Sequence, residues 1–154
     1  MVNSRIHAVL LLSGALAVNL AVPHAAANAE PVTLTATLTG ANEPAGGDPK
    51  GSGMFEVKID ADSGDFCYTL TAVGIAKATM AHVHTGAAGV NGPPLTTLEV
   101  TGAGSDECIA IEPDVLKPIV ATPSNYYVNV HNTAYPAGAI RVTLRRDAPC
   151  RAGE

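Results

Sequence analysis

The chain has 154 residues, of which 47% are hydrophobic, 4% aromatic and 15% charged, with a formal net charge of −5. That length holds about one domain, which excludes a multidomain machine. Nine Lys and Arg against 14 Asp and Glu leave no basic surface for gripping phosphates, so nucleic acid is excluded as a partner class.

Residues 1–29 read as a secretory signal peptide. Arg5 precedes an apolar run from Ala8 to Val22, broken only by Ser13, Gly14 and Asn19, and Pro23 and a string of small residues follow it. The run is about fifteen residues, short of the roughly 20 that a spanning helix needs, and Ala27-Asn28-Ala29 fits the small-x-small cleavage pattern. Cleavage after Ala29 leaves a mature chain with no transmembrane anchor, secreted or periplasmic. Export places the cysteines in oxidising surroundings. Three cysteines permit three single pairings; Cys67 and Cys108 fall in or beside expected strands, whereas Cys150 lies in the polar tail 147–154. The expected bond is therefore Cys67 to Cys108, with Cys150 free or linking two chains.

The segment between signal and tail, 30–146, reads as a single β domain. Val32, Leu34, Ala36 and Leu38 alternate with threonines, the period of two that marks a strand with one buried face. A Gly- and Pro-rich loop from Gly40 to Gly53 separates it from a second alternating run through Phe55, Val57 and Ile59. Asp60 to Asp65 should turn the chain back into Phe66 to Ala72 as a hairpin. The aspartate spacing there lacks the closing bidentate Glu of a calcium loop. Further strands are expected at 78–85, 95–101, 107–111, 126–131 and 139–145, with a helix of at most two turns at 113–121, weakened by Pro118. About eight short antiparallel strands with one short helix predict an all-β fold, a Greek-key sandwich or flattened barrel.

The chemistry-bearing residues are histidines. Beyond the signal segment three remain, in Ala81-His82-Val83-His84-Thr85 and Val128-Asn129-Val130-His131. Side chains at i and i+2 of a strand share a face about 6.5 to 7 Å apart, so His82 and His84 can converge on one point. His131 shares a polar strand face with Asn129 and Tyr127, while Val128 and Val130 point into a core. Three neutral imidazoles suit copper or zinc, and export favours copper. Met80 lies on the face of His82 and His84; it reads first as a core residue, and alternatively as a soft thioether for Cu(I). Each histidine also has a plain reading, as a hydrogen-bonded residue at a strand end.

The Gly-rich stretch from Gly86 to Pro94 has no Lys-Ser or Lys-Thr and no helix behind it, so it is not a phosphate loop; its expected role is to shape the rim beside His84. No G-x-S-x-G is present, which sets aside a serine hydrolase of that type.

The segments Phe66-Cys67-Tyr68-Thr69-Leu70, Ala81-His82-Val83-His84-Thr85-Gly86-Ala87-Ala88-Gly89-Val90-Asn91-Gly92-Pro93 and Tyr126-Tyr127-Val128-Asn129-Val130-His131-Asn132, with Leu38-Thr39-Gly40-Ala41-Asn42-Glu43-Pro44 and Ile140-Arg141, resemble the CHRD domain, named for chordin. Where that family usually has Ile-Arg-Gly, this chain has Ile140-Arg141-Val142. The resemblance implies an exported all-β domain and, in chordin itself, a protein-binding role. A looser similarity is to copper/zinc superoxide dismutase, which implies copper on His82, His84 and His131, although no fourth histidine remains to bridge to a zinc site. Arg141 reads as a solvated surface charge, or alternatively as an anion-steering residue near the site.

Three functions follow as expectations. The first is a copper-binding module, with zinc as the alternative metal. The second is a structural or protein-binding module without metal, possible as a homodimer. The third is a minority redox role, as a dismutase-type metal-dependent oxidoreductase or a protein holding haem noncovalently through two histidines.

Overall fold

The computed structural model describes residues 29–146; residues 1–28 of the expected signal segment, and the tail 147–154 with Cys150, lie outside them. Eight strands form one antiparallel sheet. They are β1 (Val32–Thr39), β2 (Ser52–Asp60), β3 (Asp65–Val73), β4 (Ala78–Thr85), β5 (Pro94–Leu98), β6 (Glu107–Ala110), β7 (Tyr126–Asn132) and β8 (Ile140–Thr143), with one helix, α1 (Pro113–Ala121), between β6 and β7. The spatial order is β5-β4-β7-β8-β1-β2-β3-β6. The expected all-β fold of eight antiparallel strands is adopted as a single curled sheet, a half-barrel, rather than as two packed sheets.

The alternation in the sequence drives this shape. Leu34, Leu38, Phe55, Val57, Phe66, Tyr68 and Leu70 on one wing, and Val83, Val128, Val130 and Val142 on the other, are buried together inside the curl. Removing such side chains from water, at about 25 cal/mol per Å² of apolar surface, is the main force that curls the sheet. The two wings meet at β1 and β8, where Thr39 stands opposite Arg141. On the far side, the segment after β5 returns to β3. There the Glu99 N–H donates to the Tyr68 hydroxyl (2.8 Å), and the Leu70 N–H donates to Thr101 Oγ1 (3.0 Å).

Helix α1 extends over all nine residues, slightly longer than expected. Pro113 starts it at a position where its missing N–H costs nothing. Pro118 removes one internal hydrogen bond, but Leu116 and Ile119 are buried in the core and hold the helix in place. The disulfide forms between Cys67 and Cys108, which are directly paired residues of β3 and β6, and so pins a four-residue edge strand to its neighbour. Its presence hints at an oxidising, extracellular location.

Candidate metal centre on the outer sheet face

Strand periodicity that sends Ala81 and Val83 of β4 into the core turns Met80, His82 and His84 to the opposite face. In β7, Val128 and Val130 face the core, and Tyr127, Asn129 and His131 face outward. The β4–β7 register then sets Met80 opposite His131, His82 opposite Asn129 and His84 opposite Tyr127. Arg141 of β8 stands opposite Asn129 on the next strand. Outer sheet faces are ordinarily wet, yet His84, Asn129, His131, Tyr127 and Arg141 are all buried. Hydrogen bonds and contacts from three loops account for this: 86–93, 133–139 and the turn carrying Glu43.

His82, His84 and His131 form a cluster in which one nitrogen from each ring lies within 4.8 Å of the others. The His84 Nδ1–H donates to the Gly92 carbonyl at 2.9 Å. A carbonyl only accepts, so Nδ1 holds the proton and Nε2 presents a lone pair. That Nε2 is buried and has no hydrogen-bond partner. The Gly92 backbone itself depends on glycine, because a Cβ there would lie 1.8 Å from the Thr85 carbonyl oxygen. The rim role expected for this loop is therefore specific: it fixes the tautomer of His84.

His131 Nδ1 lies 3.0 Å from the Pro136 carbonyl oxygen, and its Nε2 lies 3.0 Å from Asn129 Oδ1 and 3.3 Å from His82 Nδ1. Asn129 is oriented by Glu43, whose buried carboxylate accepts a hydrogen bond from the Asn129 side chain. With its Nδ1–H on the Pro136 carbonyl, His131 keeps a lone pair on Nε2, which can accept from His82 Nδ1–H or bind a metal ion. A second proton on the ring is disfavoured. Burial holds His131 below the usual imidazole range, aided by charge on His84 and opposed by the Pro136 carbonyl. Burial likewise lowers His82, with charge on His131 and His84 adding to it. Neutral imidazoles with outer nitrogens held by carbonyls are the form in which histidine binds metal. The orphaned His84 Nε2, beside the convergent nitrogens of His82 and His131, fits a metal ion.

Two readings of the sequence are corrected here. Arg141 is not a solvated surface charge; it is 1% exposed. Its guanidinium carbon sits 3.3 Å from the Tyr127 ring centroid, and the other face of Tyr127 stacks on His84 at 4.6 Å with planes 6° apart. Nη1 donates to Asn91 Oδ1 (2.8 Å) and Nη2 donates to the carbonyls of Val90 and Ala87. Buried and held by these bonds against Tyr127 and the 86–93 loop, the guanidinium is out of reach of solvent anions. Met80, in turn, is not a core residue: it is 51% exposed on the face of the histidines. Sequence reasoning also missed Glu43 and the carbonyls of Gly92 and Pro136. Glu43 sits against Gly138, where a Cβ would lie 2.2 Å from its Oε1. Glu43 lies in the Leu38-to-Pro44 segment that carries the family resemblance, but nothing in that segment singles it out from the other charges of the loop, Asp48 and Lys50.

No helix among the described residues is long and apolar enough to cross a membrane. Compared with known proteins, the chain matches the family model of the CHRD domain over residues 34–144. No curated protein and no solved structure matches it.

Proposed function

Starting from its membership of the CHRD domain family, to which this chain belongs, we propose that it is an exported metal-binding module that holds one copper ion on His82, His84 and His131. The observation that carries this reading is the buried lone pair of His84 Nε2, left without a partner beside two other convergent imidazole nitrogens. A buried polar atom without a partner costs roughly 1–3 kcal/mol, and a metal ion removes that cost. Asn129 and Tyr127 serve as supports: Asn129 faces His131 Nε2, and Tyr127 stacks beneath His84. An all-imidazole ligand set takes copper or zinc, and copper is favoured by the oxidising exterior to which the disulfide points.

The redox alternatives have less support. A dismutase needs an accessible anion-steering cation, and Arg141 is sealed behind Tyr127. Haem needs axial imidazoles opposed across a slot wide enough for its ring, and the three imidazoles here converge on one sheet face with ring centroids 5.2 to 6.4 Å apart. A protein-binding role without metal predicts that the histidines matter only for folding.

Elemental analysis of the exported chain, purified without a His tag, tests the proposal. About one copper per chain, lost in the His82→Ala/His84→Ala variant while the fold persists, is the expected result. A folded wild-type protein that carries no metal and takes up neither added copper nor zinc removes the metal reading.

A further inference from the structure

The metal reading leaves open which charge state of copper the site prefers, and Met80 bears on that question. It stands on the same face as His82, two residues away, and directly opposite His131 in the β4–β7 register. Directly opposed residues of antiparallel strands have Cβ atoms about 4.5–5.5 Å apart, and i, i+2 neighbours are about 6.5–7 Å apart. A methionine has three rotatable bonds with which to cover such a gap. Met80 is 51% exposed, so its side chain is free to turn. His82 is the half-buried member of the trio, so Met80 flanks the side on which the cluster meets solvent.

Charge points the same way. All three members of the cluster are imidazoles; among the described residues no carboxylate joins it. The nearest buried charges are Arg141, stacked through Tyr127 on His84, and Glu43, bonded through Asn129 to His131. They have opposite signs and together supply no net negative charge. The cost of burying an ion rises with the square of its charge, so an uncompensated site discriminates against divalent ions.

We propose that this site selects monovalent copper, Cu(I), and that the Met80 thioether is its fourth ligand. The proposal rests on the three-histidine metal reading and deepens it. A soft thioether favours Cu(I) and adds little for zinc or Cu(II). The site then holds copper in its reduced state, with an exposed, flexible ligand on the side where the ion enters and leaves.

The test uses the exported chain without a tag, titrated with Cu(I) under anaerobic ascorbate against a chromophoric Cu(I) chelator, and separately with Cu(II) and with zinc. Wild type, Met80→Leu and His82→Ala/His84→Ala are compared. The expected result is tighter binding of Cu(I) than of either divalent ion. Met80→Leu should weaken Cu(I) about tenfold and leave Cu(II) and zinc within twofold. Tighter binding of Cu(II) or zinc than Cu(I), a silent Met80→Leu, or equal weakening of all three ions overturns it. If the histidine variant loses binding while Met80→Leu is silent, the three-histidine site stands and only Met80 fails. If the wild type binds none of the ions, both readings fall.

Discussion

Arg141→Met tests whether the second layer of side chains builds the site. The substitution removes hydrogen bonds to Asn91 Oδ1 and to the carbonyls of Val90 and Ala87, together with the guanidinium stacked on Tyr127. Hydrogen bonds from charged groups contribute about 1.5–3 kcal/mol each when buried. The acceptors here belong to exposed loop residues that can turn to water, so about 1 kcal/mol each is the better figure. A desolvated cation–π contact adds about 1–2 kcal/mol. Against this, removing a buried cation recovers part of its desolvation cost, although it leaves Glu43 without its compensating charge. The net expectation is about 3 kcal/mol, or about 10–15 °C in Tm for a domain of this size. Arg141→Lys should recover little of it, because an ammonium neither forks nor stacks. The loss has a second consequence at the site. With the 86–93 loop untied, the Gly92 carbonyl no longer holds His84 Nδ1–H, and metal affinity should fall about 10- to 100-fold, as for other outer-sphere supports. Thermal unfolding and metal titration of both variants check this. An Arg141→Met protein with Tm within about 2 °C of wild type and unchanged affinity would refute the reasoning.

Three further outcomes are expected. Breaking the disulfide with Cys67→Ala/Cys108→Ala, at a sequence separation of 41, should cost up to about 4 kcal/mol on chain-entropy grounds, read by urea unfolding. Equal midpoints for the oxidised wild type and the variant would show that β6 holds without it. In the metal-free protein, His82 and His131 are held below their unfolded value of 6.5, so the folded state resists protonation. Their contribution is fully present above about pH 6.5 and declines as pH falls through the lowered folded values. Glu43 has the opposite sign: burial raises it above 4.5, so its contribution is complete below that pH and declines as pH rises through the raised value. Urea midpoints measured from pH 4 to 8 should fall on the acid side of 6.5, and His131→Asn should flatten that slope; an unchanged slope would show that these rings titrate as in the unfolded chain. Finally, Gly138→Ala should displace the Glu43 carboxylate and so release Asn129 from its orientation toward His131. The readout is weaker metal binding with little change at His84, whose nuclear magnetic resonance signals should hold their positions.

Much of this protein could be read from its residues because period-two patterning is a local property. The alternation of Val32 to Thr39, the Asp60 to Asp65 turn and the His82-Val83-His84 triplet each declare their faces within a few residues, and the β strands and shared histidine face followed. The pairing of Cys67 with Cys108 was legible for a similar reason, since both fell in or beside expected strands. Met80 and Arg141 were misjudged because alternation says which face a side chain takes but not what covers that face.

Burial of an outer sheet face is a matter of which loops fold over it. The sequence by itself determined an all-β domain and a pair of histidines on one strand face, because strand geometry sets both. Only the tertiary structure decided that β7 lies beside β4 in the register that brings His131 to them, and that Gly92, Pro136, Asn129 and Glu43 close around the three rings. Those contacts join residues far apart in the chain, and their stability depends on the enclosed core and on loop closure together, so no local pattern encodes them.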